Sequence, residues 1–183
     1  MRIVLCAINS KYIHSSLAVW YLHASLKKNK NVESVVVEGT INEQEEEIYN
    51  RIMSQSPDMV AFSTYIWNKN IVMRLTKRIK ERVNAEILLG GPEVSYNGEE
   101  IMAENPHIDY IICGEGEEAI YDLCNGKEKS KISGLIYKTA DHVCINSVAA
   151  AFSEPPNPYT KEYFGALNGR ITYIETSRGC PFN

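Results

Sequence analysis

The stretch DMVAFSTYIWNKNIVMRLTKRIKERV, residues 58–83, contains the clearest strand, loop and helix pattern of the chain. Its first six residues form a short apolar run that is typical of a buried strand. From Asn68 onward, apolar residues recur at helical spacing on one stripe, with basic residues on the opposite side: Ile71, Val72, Leu75, Ile79 and Val83. The stretch therefore predicts a strand, a polar and aromatic loop, and an amphipathic helix.

The same alternation occurs on both sides of this stretch. Short apolar runs predict further strands at 2–7, 34–38, 85–89 and 109–113, and periodic segments predict helices at 14–28, 42–56, 97–104 and 117–124. Ser15 or Ser16 is available as an N-cap for the first helix. Near-continuous apolar strands that alternate with helices indicate an α/β fold, a doubly wound five-stranded parallel sheet of Rossmann-like or flavodoxin-like type.

The pattern changes after Asn125. Residues 134–138 and 143–147 flank a turn and predict a C-terminal β-hairpin. Residues 149–159 contain three prolines and predict an extended linker, after which RITYIE, residues 170–175, predicts the start of another strand. We therefore expect a binding domain at 1–126, a hairpin and linker at 127–168, and the beginning of a second domain at 169–183.

Composition excludes several classes of protein. The net charge of −4 over 183 residues disfavours a chain that neutralises nucleic-acid phosphates, so nucleic acid is not an expected partner. No apolar segment is long enough to predict a membrane span, so no membrane partner is expected either. The five cysteines are odd in number and lack paired spacing, which fits a reducing compartment and predicts a cytoplasmic protein.

Candidate site residues follow the predicted strands. Ligands of open parallel sheets bind outside the carboxyl ends of the strands. The loop after the first strand supplies polar and titratable groups, and the loop after the third supplies two hydroxyls and a flat aromatic surface suited to a planar ligand. The candidates in these two loops are Asn9, Ser10, Lys11, His14, Ser63, Thr64, Tyr65 and Trp67.

The loops after the fourth and fifth strands share paired glycines, which let a ligand approach the backbone closely. The candidates are Gly90, Gly91, Pro92, Glu93, Gly114, Glu115, Gly116 and Glu117. Neither loop matches a phosphate-binding fingerprint. Residue types alone also permit ordinary interpretations: a capping loop, a tight turn, aromatic packing onto the sheet, or a helix-start charge at Glu117.

In order and spacing, these four loops resemble the N-terminal cobalamin-binding domain of B12-dependent radical SAM proteins. The tail ETSRGCPFN, residues 175–183, resembles the lead-in to their CxxxCxxC cluster motif, with Cys180 as the first cysteine. The resemblance implies cobalamin as the ligand. It also implies that a longer protein carries a radical SAM barrel in cis, with a 4Fe-4S cluster and S-adenosylmethionine, and that this protein is a methyltransferase of unknown substrate.

The same resemblance has consequences for this fragment. The second and third cluster cysteines would lie beyond Asn183, so Cys180 would be its one metal ligand and the fragment itself would be catalytically inert. The nucleotide tail of the corrinoid would run past Ser63, Thr64, Gly90 and Gly91. The lower face of the corrin would lie over the first and third loops, with Tyr65 or Trp67 against the ring.

One motif departs from corrinoid proteins that bind cobalt through histidine. Those proteins carry DxHxxG after the first strand, whereas residues 12–17, YIHSSL, retain only His14. Without an acidic residue to orient the imidazole, a bond from His14 to cobalt loses its support. We therefore expect base-off binding without His14 as the lower ligand.

Two other functions remain open at this point. The chain could be a flavodoxin-like interaction domain that holds no corrinoid. It could also be a cofactor-free scaffold that packs against the catalytic barrel of a radical SAM enzyme.

Overall fold

The computed structural model describes residues 1–140, 142–148 and 154–178. In these residues seven strands form one sheet in the order β2-β1-β3-β4-β5-β6-β7. The first five strands are parallel. The strands span β1 Arg2–Asn9, β2 Glu33–Thr40, β3 Met59–Ser63, β4 Glu86–Gly90, β5 Tyr110–Ile112, β6 Leu135–Lys138 and β7 Val143–Ile145.

The helices cover both faces of this sheet. They span α1 Leu17–Leu26, α2 Glu45–Met53, α3 Lys69–Arg82, α4 Pro92–Ser95, α5 Gly98–Glu104, α6 Glu117–Cys124 and α7 Lys161–Leu167, with a 3-10 turn at Lys129–Lys131. Helices α2 to α5 pack on one face, over Val4 and Cys6 of β1. Helices α1, α6 and α7 pack on the other, over Ile3 and Leu5. The predicted doubly wound sheet is confirmed, since successive β1 side chains point into opposite core layers.

The predicted hairpin is also present. Strands β6 and β7 pair antiparallel with each other, and β6 pairs antiparallel with β5. The hairpin therefore extends the parallel sheet at its β5 edge.

The first helix begins later than predicted, and neither serine caps it. Ser16 occupies the N-cap position without a side-chain capping bond. Its backbone N–H donates to Glu38 Oε2 at 3.0 Å, and Ser15 Oγ donates to the carbonyl of Ile171 at 3.1 Å. The Ser15 hydroxyl and the Ser16 N–H are therefore hydrogen-bonded to residues far along the chain, and neither serine side chain caps the helix.

The C-terminal segment differs most from the sequence-based expectation. Helix α7 follows the proline-rich linker, with Thr160 Oγ1 accepting from the Tyr163 N–H at 3.2 Å as its N-cap. The predicted strand at 170–175 is wrong, because residues 171–178 form neither strand nor helix. This segment crosses the ends of the parallel strands, where Ile171 N–H donates to the Ile13 carbonyl at 2.8 Å, and no sheet edge is available there to pair with it.

Within the described ranges, the helices are all too short or too polar to cross a lipid bilayer.

Candidate functional site

A cavity of about 370 Å³ lies at the carboxyl ends of β3, β4 and β5, between the sheet and α1. This volume lies within the range of small-molecule sites. Its walls include eight of the candidate residues that the sequence places after the strands: Ser63, Tyr65, Gly90, Gly91, Pro92, Gly114, Glu115 and Gly116. Ala18, Val19 and Leu22 of α1 supply an apolar wall. The loops after three parallel strands therefore converge on one cavity, which we call the nucleotide-side cavity.

Gly90 leaves space in this cavity. Among the described residues, the only neighbour within 4 Å of a Cβ atom built on Gly90 would be the Ile112 carbonyl oxygen, at 3.7 Å. Because strand side chains alternate, this Cβ would project to the same face as Leu88, which lines the cavity. The absence of a side chain at Gly90 therefore leaves room for a ligand, although the backbone conformation there does not require glycine.

Gly91 has a different role. Its φ is +102°, and a Cβ there would lie 2.5 Å from the Thr64 carbonyl oxygen. The Thr64 N–H donates to the Gly90 carbonyl at 2.7 Å. Gly91 therefore lets the β4 loop lie directly against the β3 loop.

A second cavity of about 390 Å³ adjoins the first and shares Ala18 and Tyr65 with it. It lies between the loops after β1 and β3 and is lined by Asn9, Ser10, His14, Ser15, Ser16, Leu17, Trp67 and Tyr173. The rings of Tyr65 and Trp67 stack with centroids 4.5 Å apart and an interplanar angle of 6°. We call this space the ring-side cavity, because the stacked pair gives it a flat aromatic wall.

The imidazole of His14 is already engaged. Its Nδ1 lies 2.5 Å from the hydroxyl of Tyr173, a residue of the segment that crosses the strand ends. The other loop residue predicted beside it, Lys11, is exposed, and its carbonyl accepts from the His14 N–H at 3.2 Å. His14 therefore lines the cavity with a phenol as partner, whereas Lys11 does not line it.

Glu38, which is not among the candidate residues from the sequence, holds the loop after β1 in place. Its side chain is 5% exposed and pairs with Arg170 at 2.9 Å. It also accepts from Asn9 Nδ2 at 2.8 Å and from Trp20 Nε1 at 2.9 Å, in addition to the Ser16 N–H. The amide of Asn9, a predicted site residue, is therefore held by the scaffold.

Asn68 performs the equivalent task in the loop after β3. It is 1% exposed. Its Nδ2 donates to the carbonyls of Ile8 and Ser63, both at 3.0 Å, and its Oδ1 accepts from the Tyr65 N–H at 2.8 Å. One amide thereby joins the ends of β1 and β3, where the chain leaves the sheet in opposite directions.

Two further predicted residues do not line either cavity. Thr64 is fully buried, and its Oγ1 has no hydrogen-bond partner among the residues that the structure describes. Glu93 pairs with Lys69 at 3.1 Å, and its N–H donates to the Thr64 carbonyl at 3.3 Å. Both residues stabilise the contact between the β3 and β4 loops.

Arg178 closes one side of the nucleotide-side cavity, another position that sequence reasoning missed. Its guanidinium lies 2.7 Å from Glu117, 2.9 Å from Glu175 and 3.7 Å from Glu115, and 4.3 Å above the ring of Tyr21. Burial alone would lower the pKa of Arg178, but hydrogen bonds to Glu175 and Glu117 outweigh burial and raise it.

Large apolar side chains are exposed around the two cavities. They come from the loops after β1 and β3 and from the crossing segment: Tyr12, Ile13, Ile66, Trp67, Ile171 and Ile174. Ile66 is 81% exposed. Clustered exposed apolar groups are typical of a surface that a ligand or another protein part covers.

The predicted metal ligand Cys180 lies outside the described residues. Inside them, no group of three or more His, Cys, Asp or Glu side chains is arranged to hold a metal ion. Cys6 is fully buried, and burial raises the pKa of its thiol. Burial raises the pKa of Cys124 to about 12, so both thiols stay protonated at neutral pH.

Comparisons with known proteins agree with this geometry. A family model described as the B12 binding domain matches residues 3–123. The chain is 26% identical over 147 residues to the cobalamin-dependent radical SAM methyltransferase TokK of Streptomyces tokunonensis, a match that covers 69% of this chain and 21% of that protein. It is 28% identical over 190 aligned positions to an uncharacterized methyltransferase of Pyrococcus horikoshii, covering 91% and 39%.

A solved structure shares the fold. It is the radical S-adenosylmethionine methyltransferase TsrM of Kitasatospora setae with cobalamin and a 4Fe-4S cluster bound, with a TM-score of 0.65 and 16% identity. The match covers 86% of this chain and 31% of that one. The chain thus spans between about a fifth and two fifths of the length of these relatives.

Proposed function

Because the chain belongs to the B12-binding domain family, we propose that the nucleotide-side cavity holds the nucleotide end of cobalamin and the ring-side cavity receives the corrin. The observation that carries this proposal is the convergence of the end of β3 and the glycine loops after β4 and β5 on one cavity of about 370 Å³. The adjoining aromatic wall of Tyr65 and Trp67 offers a flat apolar surface at the right place for the ring.

The residues present fit such a ligand. Gly90 leaves the cavity floor open, since a Cβ there would fill space that the ligand needs. Ser63, Ser95 and Glu115 add polar groups beside the apolar wall of α1, the mixture that orients a ligand in a pocket. When bound, the corrinoid supplies a cobalt centre that can carry a methyl group.

We further propose that cobalt is bound without His14 as its lower ligand. The hydrogen-bond partner of His14 is the Tyr173 hydroxyl, at 2.5 Å, in place of the carboxylate that supports metal-binding histidines. The buried carboxylate of Glu38, which shares the donor Asn9 with the His14 carbonyl, is instead taken up by Arg170, Asn9 and other donors. His14 then serves as a wall of the ring-side cavity.

For the longer protein, we propose a radical SAM methyltransferase. Residues 1–126 form the cobalamin-binding domain, 127–168 the hairpin and linker, and 169–183 the start of the catalytic barrel. Cys180 would be the first ligand of a 4Fe-4S cluster that binds S-adenosylmethionine. Two relatives are named methyltransferases, which supports this reaction class. The four described cysteines are unpaired, which supports a cytoplasmic location.

Corrinoid retention tests the proposal. The chain is incubated anaerobically with hydroxocobalamin and desalted, and its visible absorbance is recorded. We expect the wild type to stay coloured and Gly90→Leu, which fills the cavity, to lose the colour with an unchanged circular dichroism spectrum. Gly165→Leu is the matched control, because Gly165 is exposed and a Cβ atom there has no neighbour within 4 Å among the described residues. A colourless wild type would favour the cofactor-free interaction or scaffold domain instead.

His14→Ala tests the cobalt ligand. We expect nearly unchanged corrinoid uptake and an unchanged visible spectrum, because the partner of the imidazole is a phenol and not a carboxylate that would raise its basicity as a ligand. The exposed His142, substituted by alanine, is the control. A large loss of uptake or a shifted spectrum in His14→Ala alone would identify His14 as a ligand.

A further inference from the structure

Arg178 connects three parts of the molecule at one point. It belongs to the segment that crosses the strand ends, pairs with Glu117 at the start of α6, and lies over Tyr21 of α1. Its side chain is 18% exposed, and it lines the nucleotide-side cavity. The same guanidinium thus contacts two helices of the binding domain while it forms part of the ligand cavity.

We propose that Arg178 is a positioning residue that couples occupation of this cavity by the corrinoid to docking of residues 171–178 on the domain. The inference rests on the proposed function and extends it to the segment that leads to Cys180. Corrinoid binding and segment docking then favour each other, by the same factor in either direction.

The shape of the cavity supports positive coupling, in which corrinoid binding and segment docking strengthen each other. It retains about 370 Å³ while Arg178 is docked, so the segment forms a wall and leaves the space for the ligand. Ligand and segment therefore do not compete for the same volume. Each of them immobilises the loop at Glu115 and the start of α6, so the second to bind has less conformational entropy to lose.

Charge makes the arginine necessary for docking. Glu115, Glu117 and Glu175 all lie within 3.7 Å of its guanidinium. Without Arg178, like charges from the domain and from the segment would face each other at the cavity mouth. The surrounding carboxylates also neutralise the guanidinium, which disfavours a role as the binding group for the ligand phosphate.

Lysine would reproduce only part of this arrangement. A guanidinium is planar and can bridge two carboxylates while it stacks on an aromatic ring, whereas an ammonium is a point charge. The contact with Tyr21 at 4.3 Å uses the flat face, and the pairs with Glu117 and Glu175 use the edge. Arg178→Lys should therefore be intermediate between the wild type and Arg178→Ala.

The test measures corrinoid release and segment exposure in the same variants. Hydroxocobalamin dissociation is followed by absorbance, and hydrogen exchange of residues 171–178 is measured with and without hydroxocobalamin. Arg78→Ala is the matched control, since Arg78 pairs with Glu46 at 2.6 Å and lies 3.7 Å over Tyr49, away from both cavities.

We expect release about tenfold faster in Arg178→Ala, a factor at the lower end of coupling between sites. Hydroxocobalamin should slow exchange of the segment in the wild type and in Arg78→Ala, and this protection should disappear in Arg178→Ala. An unchanged or slower release, or protection that persists in Arg178→Ala, would overturn the inference alone. A wild type that retains no corrinoid would overturn the proposed function and this inference together.

Discussion

Replacement of Glu38 by glutamine should destabilise the fold far more than its single lost charge suggests. The carboxylate is 5% exposed and accepts from Arg170, Asn9, Ser16 and Trp20 through its two oxygens. A glutamine has one oxygen and one NH₂ group, so either orientation sets a donor against at least one of these donors. Arg170, itself 14% exposed, would also lose its counter-charge.

The magnitude follows from these contacts. Removal of one partner of a buried ion pair costs about 3 to 5 kcal/mol, because the remaining charge is left uncompensated. We take the lower end, about 3 kcal/mol, since Arg170 keeps hydrogen bonds to the carbonyls of Leu167 and Ala166. For a chain of this size the loss corresponds to a fall in Tm of roughly 6 to 12 °C.

Urea unfolding followed by circular dichroism measures the effect. Glu33→Gln is the control, because Glu33 pairs with Arg2 at 2.8 Å but is 61% exposed, and such pairs contribute about 0 to 1 kcal/mol. The double variant Glu38→Gln/Arg170→Met should recover part of the lost stability, because it removes the uncompensated positive charge of Arg170. A loss below about 1 kcal/mol in Glu38→Gln, or no recovery in the double variant, would refute the reasoning.

Three further changes test other parts of the structure by urea unfolding. Gly91→Ala should cost about 3 kcal/mol, since its Cβ would meet backbone at 2.5 Å, whereas Gly126→Ala, also at positive φ but with no described residue within 4 Å of its Cβ, should cost about 1 kcal/mol. Asn68→Ala should cost about 2 to 4 kcal/mol and speed exchange of the Tyr65 amide, which loses its acceptor. Burial lowers the pKa of His23, so below pH 6.5 the unfolded chain binds more protons than the folded chain. The free energy of unfolding should therefore fall from pH 7.5 to pH 5.5, and this fall should be smaller in His23→Gln.

The parallel sheet could be predicted because its signals are local. Four of the five parallel strands, all except the edge strand β2, are short apolar runs buried on both faces, and α2, α3 and α6 each carry an apolar stripe at helical spacing. In residues 58–83 the predicted strand starts one residue before β3 and ends with it, and the predicted helix is one residue longer than α3 at each end. The convergence of the loops also followed from the fold class, since parallel strands bring their carboxyl ends to one edge.

The crossing segment could not be predicted from its residue types. RITYIE is rich in β-branched and aromatic residues, but such residues form a strand only where a pleated neighbour is available. Here Ile171 meets the loop after β1, and Tyr173 meets His14, so the backbone finds isolated partners and no ladder. The position of the segment in the fold, which depends on contacts more than 150 positions apart, decides its conformation.

Polar residues at the strand ends show a second limit. Asn9 and Ser63 both end apolar strands, and both are candidate ligands from the sequence. In the structure Ser63 lines the nucleotide-side cavity, whereas the Asn9 amide turns to Glu38. The difference arises from Glu38, which lies near the end of the neighbouring strand β2 and resembles an ordinary solvent-facing residue until Arg170 is placed beside it. Because a buried carboxylate needs several donors, it recruits a predicted site residue into the scaffold, and it thereby fixes the loop that carries His14.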